Sequence, residues 1–299
     1  MSVVGERILE DQRTAVGVAN TLIPTGRPVL KWAGGKTQLL PEIVARLPRT
    51  YNNYHEPFVG SGAVFFALAP EESTLSDTNA HLIDLYRDIR DSTELLAVEL
   101  EGLESEFNGL TQDAKSDHYY SCRNEFNRIR SASVRQSALM VYLNKAGFNG
   151  IYRENAKGDF NVPFGKKREL RLPGRELLEA CREVLASAQL LHEGYGSVLN
   201  RAGKGDLVYF DPPYVPLSAT SSFTAYQAKG FTLDDQERLA GVVRELDSRG
   251  AFVLLSNSDT EAVRELYQGL TVETVMARRN INSKGEGRGH VAEVLVRNY

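Results

Sequence analysis

The chain has few cysteines and no long apolar segment. Its two cysteines, Cys122 and Cys181, lie far apart and predict reduced, buried thiols rather than a disulfide framework. The five histidines add no zinc-type motif, so we expect no metal site. No apolar run approaches the ~20 residues that span a bilayer, and the start, MSVVGERILEDQ, is too polar for a secretory signal. These absences favour a cytoplasmic protein.

Charge and length narrow the class further. The chain carries 35 basic and 39 acidic side chains, for a net charge of −4. This balance argues against a protein that binds nucleic acid over its whole surface, but it allows a local basic face. A length of 299 residues suits one large core that carries a substantial insert.

Strand and glycine signals in the first third predict a parallel α/β sheet. A strand candidate at 54–59 runs into FVGSG, which supplies Gly60 and Gly62, and an apolar helix follows. A second strand ends at Asp77. Glycines at such a turn let the backbone approach a ligand, and an acid after the next strand can bind ribose hydroxyls. Without a ligand, the two glycines would serve only the packing of the turn, and Asp77 would be an ordinary exposed aspartate at a strand end; both alternatives stay open.

The most specific motif follows a buried strand at 207–210. It reads Asp211-Pro212-Pro213-Tyr214, and its prolines have no N–H, so the loop offers mainly carbonyl acceptors. A carboxylate and a carbonyl can together accept both hydrogens of an exocyclic amino group, while an aromatic ring stacks on the base. The motif therefore favours a loop that binds an aminopurine substrate over an ordinary proline turn with no binding role.

Five segments in order resemble the Dam-type DNA adenine methyltransferases, in the arrangement of the α-class. They are LKWAGGK (30–36), HEPFVGSGAVF (55–65), LSDTNAHLIDLY (75–86), YLNKAGFNGIYRENAKGDFNVPFG (142–165) and DPPYVPLSATSSFTAY (211–226). The resemblance runs from about Leu30 to the end and is weakest in the helical insert. It implies an α/β fold, a Rossmann-like S-adenosylmethionine-dependent methyltransferase sheet with an inserted, mainly helical DNA target-recognition domain.

The predicted organisation has three parts. Residues 1–27 form a mobile N-terminal extension, residues 28–80 and 186–299 the catalytic domain, and residues 81–185 the helical insert with the target-recognition region. Within the last part, a helix expected at Val134–Lys145 gives way to a stretch rich in glycine, asparagine and aromatic residues. In the catalytic domain, apolar residues at helical spacing predict a helix from Leu39 to Leu47, and Thr232 with Asp235 suits a capping box at the start of another helix. LTVETVMA and VAEVLVRNY predict a closing antiparallel pair of strands.

The resemblance also implies the reaction and its residues. Methyl transfer from S-adenosylmethionine to N6 of an adenine flipped out of double-stranded DNA is expected, commonly within GATC. The implied catalytic residues are Asp211, Pro212, Pro213 and Tyr214; the implied cofactor residues are Trp32, Lys36, Phe58, Gly60, Gly62, Asp77 and Asp211; the implied DNA-binding residues are Lys31, Phe148, Asn149, Ile151, Arg153, Pro163 and Lys166.

Within the DNA-binding set, the resemblance assigns three roles. Phe148 is the wedge that enters the duplex, standing where a tyrosine is familiar, and Arg153 reads a guanine. Lys166 stands where an arginine is expected, so a phosphate contact becomes a point charge. Between Lys145 and Arg175 there are eight basic and three acidic side chains, which suits a DNA-facing surface.

Other functions remain open at the level of sequence. One is amino methylation of cytosine N4 or of an RNA adenine, although aspartate before Pro-Pro-Tyr favours adenine by resemblance. Another is a DNA-binding regulator without catalysis, which the complete Asp211–Tyr214 loop argues against. The sequence predicts a monomer without an obligatory protein partner. It leaves open whether the enzyme belongs to a restriction-modification pair.

Overall fold

The computed structural model describes residues 26–129, 131–215, 231–278 and 290–299. The predicted mobile extension, up to residue 25, lies outside these ranges, as does part of the fifth resembling segment. Gly26 and Arg27, which the sequence assigns to the extension, contact the folded chain. Gly26 is buried near Phe66, and the Cys181 thiol donates a hydrogen bond to the Arg27 carbonyl at 3.2 Å.

Within the described ranges, seven strands form one sheet in the order β3-β2-β1-β4-β5-β7-β6. They are β1 (Tyr54–Glu56), β2 (Ser73–Asp77), β3 (Ala188–His192), β4 (Leu207–Phe210), β5 (Phe252–Ser258), β6 (Thr271–Arg278) and β7 (His290–Arg297). The first five strands pair in parallel, whereas β7 is antiparallel to both β5 and β6. The expected methyltransferase-type α/β fold is confirmed, as is the closing antiparallel pair.

The sheet is buried on both faces because its central strands are apolar at successive positions. In β4, Leu207 and Tyr209 enter one core cluster, while Val208 and Phe210 enter the other. Strands covered on both sides read as continuous apolar runs, which is why LVYF is recognisable in the sequence. The carboxyl edge of this sheet is therefore held by two rigid layers.

The helices lie on the two faces of the sheet and in the insert. They are α1 (Leu40–Val44), α2 (Ala63–Leu68), α3 (Ala80–Asp91), α4 (Thr93–Gly109), α5 (Ala114–Arg128), α6 (Val134–Ala146), α7 (Arg175–Leu185), α8 (Leu233–Ser248) and α9 (Glu261–Leu266). The expected capping box opens α8, where the Thr232 hydroxyl accepts from the Asp235 N–H and the Asp235 carboxylate accepts from Thr232 N.

Two local expectations are corrected. The strand expected at 54–59 ends at Glu56, because the chain leaves the sheet there to form the glycine turn. The helical pattern expected from Leu39 to Leu47 resolves into a short 3₁₀ turn at Lys36–Gln38 and the five-residue α1. In both places the apolar residues are present as predicted, but the regular element ends early and the backbone continues as a turn.

The insert is organised around α6, which is buried along almost its whole length. A helix that is apolar on every side belongs inside a bundle, and α3, α4 and α5 pack around it. After α6 the chain forms an irregular hairpin loop at residues 147–165, closed by bridges between Gly147 and Phe164 and between Glu154 and Phe160. We call this segment the recognition loop. No helix in the described part of the chain is long and apolar enough to cross a membrane.

Candidate active site and DNA-reading surface

The site lies where the strand order reverses. From β1 the sheet continues to β2 on one side and to β4 on the other, which makes the carboxyl ends of β1 and β4 the switch point where an open α/β sheet forms its crevice. Ligands of open α/β sheets bind in such crevices. The glycine turn follows β1 and Asp211 follows β4, so the fold brings together two motifs that are about 150 residues apart in sequence.

The glycine turn is shaped for close approach. Gly60 and Gly62 have positive φ angles of 47° and 68°, which other residues adopt only with strain. A Cβ atom on Gly60 would lie 2.9 Å from Cδ1 of Trp32, so the indole ring packs directly on the turn. The Tyr86 hydroxyl donates to the Gly60 carbonyl at 2.6 Å and fixes the turn from below.

Asp77 is joined to the same turn. Its Oδ2 accepts from the Gly60 N–H at 3.2 Å, and its Oδ1 accepts from the Asn79 N–H at 2.9 Å. Burial raises the pKa of Asp77, while these backbone hydrogen bonds act in the opposite direction. Each carboxylate oxygen keeps a further lone pair, so Asp77 can still accept hydrogen bonds from a ligand.

Phe58 opens the turn and joins an aromatic cluster. Its ring stacks on Tyr195 with centroids 5.3 Å apart, and it meets Phe210 and Phe231 edge-on. The side chain therefore anchors the turn to the protein, and the backbone that follows is what approaches the crevice. Tyr195 and Phe231 were not predicted as part of this region.

Asp211 forms a buried ion pair with Lys36. The Lys36 Nζ atom lies 2.7 Å from Asp211 Oδ1 and also donates to the Gly34 carbonyl at 2.6 Å. The Ser256 hydroxyl donates to the same Oδ1 at 3.0 Å. Burial raises the pKa of Asp211, whereas the Lys36 ammonium and the Ser256 hydroxyl lower it. Lys36 therefore favours the ionised carboxylate at a site that would otherwise disfavour it.

Tyr214 is held at both its ring and its hydroxyl group. The Lys36 ammonium lies 4.5 Å from the ring centroid, and the hydroxyl donates to Glu293 Oε2 at 2.7 Å. Glu293 was missed at the sequence level, because it lies on β7 and only sheet pairing brings it near residue 214. The Pro213 carbonyl accepts from Gln236 Nε2 at 2.8 Å, so it points into the protein.

A second buried acid, Glu56, lies at the end of β1. The Tyr54 hydroxyl donates to it at 2.7 Å. Burial, together with the negative charge of Asp211, raises the pKa of Glu56 to about 8. The sequence signal was an acid at a strand end inside HEPFVGSG, but Glu56 was not singled out. It enters the site electrostatically, as a group that favours a proton beside Asp211.

The recognition loop brings most of the predicted DNA-binding residues together. Phe148 is 53% exposed, and its N–H donates to the Pro163 carbonyl at 2.9 Å. Asn149 is exposed and has a positive φ of 58°. A Cβ atom on Gly150 would lie 3.0 Å from Cδ of Lys31, so that lysine reaches across to the same loop.

The other members of the set differ in exposure. Arg153 is oriented by Asn161, since its Nε donates to Asn161 Oδ1 at 2.6 Å. Ile151 is half-buried, and Lys166 is exposed with a φ of 55° just after the loop. An exposed aromatic side chain on the same loop as an arginine held by a hydrogen bond suits contact with a nucleic acid better than plain solvation.

Trp32 and Asn144 connect the glycine turn with the recognition loop. The Trp32 ring stacks on Tyr152 with centroids 5.4 Å apart. The buried Asn144 amide pairs with both backbone groups of Lys31 at 2.9 Å and donates to the Gly150 carbonyl at 2.9 Å. Residues 31–32 therefore pack against both the glycine turn and the recognition loop.

One histidine and one cysteine lie side by side, although the sequence contains no zinc-type motif. His118 Nε2 lies 3.5 Å from the Cys122 thiol, one helical turn away on α5. Burial raises the pKa of Cys122 to about 12, which keeps the thiol protonated. Across the described ranges, no group of three or more histidine, cysteine, aspartate or glutamate side chains could hold a metal ion.

The fold and the site together define a methyltransferase with an Asp-Pro-Pro-Tyr loop at the switch point of its sheet. The chain belongs to the D12 class N6 adenine-specific DNA methyltransferase family, whose model matches residues 32–281. The expectation of an enzyme that methylates adenine N6 in DNA is thereby confirmed.

Characterised relatives cover nearly the whole chain. The Type II methyltransferase M1.LlaDCHI of Lactococcus lactis subsp. cremoris is 39% identical over 278 residues, 91% of this chain and 95% of the relative. The DNA adenine methylase of Escherichia coli (strain K12) is 40% identical over 271 residues, 90% and 94% of the two chains. That of Vibrio cholerae (strain ATCC 39315) is 39% identical over 273 residues, 90% and 95%.

Proposed function

We propose that the methyl donor is S-adenosylmethionine and that the crevice beside β1 holds it. The observation that carries this proposal is the junction of the Gly60 turn with Asp77, where a Cβ-free backbone meets a carboxylate that can accept hydrogen bonds from ribose hydroxyls. Trp32 and Lys36 border the same crevice. When bound, S-adenosylmethionine supplies a methyl group on a positively charged sulfur.

The catalytic loop would hold the adenine. The N6 lone pair is delocalised into the purine ring, so the enzyme must hold the amino group in line and stabilise the positive charge that develops on it. Asp211 supplies that negative charge and accepts one amino hydrogen. The Pro212 carbonyl is expected to accept the other, because the Pro213 carbonyl is already bonded to Gln236. Tyr214 would stack on the base.

Lys36 prepares Asp211 for this role. In the buried pocket a lone carboxylate would tend to take up a proton, and a protonated Asp211 could not stabilise positive charge. The 2.7 Å ion pair opposes this effect of burial and favours the ionised carboxylate before the substrate enters. A proton relay of unusual strength is not required, because the methylated amino group is itself acidic enough to release a proton to water.

We also propose that the recognition loop reads GATC. Support comes from the exposed Phe148, which can fill the space left by a flipped base, and from Arg153, which can fork onto the O6 and N7 atoms of guanine. Flipping the target base costs a few kcal/mol, which such an inserted ring helps to offset. Lys31, Ile151, Pro163 and Lys166 would complete the DNA contacts.

The enzyme is further proposed to act as a monomer in the cytoplasm, where its DNA substrate lies. The catalytic loop, the glycine turn and the recognition loop all come from one chain, which supports a monomeric active form. Light scattering of the purified protein, alone and on a short duplex, tests this part.

One assay tests the function as a whole. The purified protein is incubated with methyl-labelled S-adenosylmethionine and with duplexes that carry GATC, a single substitution in GATC, or no such site. The products are then hydrolysed to nucleosides. Labelled N6-methyladenine from the GATC duplex alone is the expected result. Label in N4-methylcytosine, or equal label in all the duplexes, would contradict the proposed site or its specificity.

A further inference from the structure

The end of β5 has an unusual composition for a central strand. Phe252 to Leu255 are apolar, but Ser256, Asn257 and Ser258 follow, with exposures of 0%, 0% and 3%. Burying a hydroxyl or an amide is unfavourable unless hydrogen bonds replace those to water. Apolar side chains would extend the strand without this cost, so these three polar residues need a reason other than sheet formation.

All three side chains bond to the catalytic loop. Ser256 Oγ donates to Asp211 Oδ1 at 3.0 Å, and Asn257 Oδ1 accepts from the Val215 N–H at 3.3 Å. Ser258 Oγ donates to the Val215 carbonyl at 2.7 Å. One strand end therefore holds the loop at its first residue, Asp211, and just after its last residue, at Val215.

A fourth buried polar side chain holds the middle of the loop. Gln236 on α8 is 1% exposed, and its Nε2 donates to the Pro213 carbonyl at 2.8 Å. Its own oxygen accepts from Asn257 Nδ2 at 3.0 Å. The two amides therefore link the Pro213 carbonyl to the Val215 N–H, and each polar group of the two side chains has a hydrogen-bond partner.

The Pro213 bond decides which carbonyl faces the substrate. The Pro213 oxygen is bonded to Gln236, whereas the Pro212 oxygen accepts no hydrogen bond from the residues that the structure describes. That oxygen and Asp211 Oδ2 are then the acceptors left for an amino group. Active-site groups must be held within about 0.5 Å to function, and a 1 Å displacement can slow a reaction by about 100-fold.

We propose that Gln236 and Asn257 are positioning residues for methyl transfer, which orient the Pro213 carbonyl away from the substrate and thereby direct the Pro212 carbonyl to the adenine amino group. This inference rests on the proposed role of the loop in holding adenine. Neither residue would touch adenine or methyl donor; both act through the loop backbone.

The test uses two substitutions of Gln236. Gln236→Met keeps the volume but removes the donor. Gln236→Glu offers a donor only while its carboxyl is protonated, and as a carboxylate it repels the Pro213 oxygen. The matched control is Asn298→Leu, since Asn298 also donates to a backbone carbonyl, that of Ala251 at 2.9 Å, but at the opposite end of β5.

Single-turnover methyl transfer is measured across pH, with dissociation constants for DNA and for S-adenosylmethionine. We expect Gln236→Met to be about 10- to 100-fold slower than wild type, with both dissociation constants within about threefold, and Asn298→Leu to keep the wild-type rate. Relative to wild type at each pH, Gln236→Glu should be near normal at low pH and slow at high pH.

Two results would overturn the proposal. One is a Gln236→Met rate within twofold of wild type, and the other is a Gln236→Glu rate that follows the wild-type pH profile. If Gln236→Met does not fold, the comparison of Gln236→Glu at low and high pH still decides the question within one protein. Failure of the wild type to methylate adenine in the same assay would count against the proposed function instead.

Discussion

Asp211 has a proposed catalytic role and an observed ion pair with Lys36, and a pair of substitutions can separate the two. Asp211→Asn keeps the side-chain shape and removes the negative charge. The lost charge faces the Lys36 ammonium at 2.7 Å, and it would also face the amino group of the substrate. The substitution therefore removes a catalytic acceptor and, in the same step, leaves a buried ammonium without its anion.

The two losses have different sizes. Removing one preorganised electrostatic group from an active site slows turnover by about 10²- to 10³-fold. Breaking a fully buried ion pair destabilises a protein by about 3–5 kcal/mol. Asp211 is 19% exposed, and Lys36 keeps the Gly34 carbonyl as a partner, so we expect the lower end of that range.

The double variant Lys36→Met/Asp211→Asn removes both charges. Most of the lost stability should return, because no unpaired ion remains in the core, but turnover should not. Denaturant unfolding gives the free energies, and single-turnover methyl transfer gives the rates. As a control, Glu245→Gln breaks the exposed Arg249–Glu245 pair and should change stability by less than about 1 kcal/mol and leave the rate unchanged.

Two outcomes would refute this reasoning. If the double variant regains more than a tenth of wild-type turnover, Asp211 is not the group that stabilises charge at N6. If Asp211→Asn alone is as stable as the wild type, the ion pair contributes nothing to the fold, and Lys36 needs no anion in the absence of substrate.

Three further predictions concern pH, stacking and base reading. Glu56 has a folded-state pKa of about 8 against an ordinary 4.5, so the folded chain binds one more proton than the unfolded chain between these values. The unfolding free energy should fall by about 1.4 kcal/mol per pH unit more in wild type than in Glu56→Gln from pH 5 to 8, measured by urea titration. Tyr214→Ala should weaken the binding of a duplex with a flipped target base by about 1–3 kcal/mol, whereas Tyr214→Phe, which loses only the bond to Glu293, should weaken it less. Arg153→Ala should reduce discrimination between base pairs at one position of the site by about 1–3 kcal/mol, measured as a ratio of kcat/KM values. Lys166→Ala should instead weaken the binding of all DNA sequences alike and reduce the slope of log affinity against log salt concentration by about one.

Each of these has a clear contrary result. Parallel pH profiles for wild type and Glu56→Gln would mean that the acid is ionised in the folded protein. Equal binding by both variants at Tyr214 would assign the hydroxyl, rather than the ring, to the base. If Arg153→Ala lowers kcat/KM equally for every duplex, Arg153 contacts the DNA backbone and does not read a base.

Local patterns predicted the regular elements well. The buried strand expected at 207–210 is observed as β4. The helix expected at Val134–Lys145 is also observed and runs one residue further, to Ala146. The capping box at Thr232 was visible because its two partners are three residues apart. These features depend on neighbours within one turn or one strand, which the sequence displays directly.

The sequence was less informative where the chain leaves its pattern to form the site. The strand after residue 54 and the helix after Leu39 both came out shorter than their apolar patterns suggested. In each case a glycine turn or a buried lysine diverts the backbone toward the crevice. Such diversions are favoured by contacts between separate elements, those of Gly60 with Asp77 and Tyr86 and that of Lys36 with Asp211. Periodicity within one element contains no record of those contacts.

By itself, the sequence determined the class of fold and the family and predicted the chemistry of the Asp211–Tyr214 loop, because these depend on residue type and local order. Only the tertiary structure decided the partners: Lys36 for Asp211, Glu293 for Tyr214, and Gln236 with Asn257 for the loop backbone. The physical reason is that the strand order of the sheet, together with the helices and turns packed on it, places side chains from distant segments within 3.3 Å of the loop.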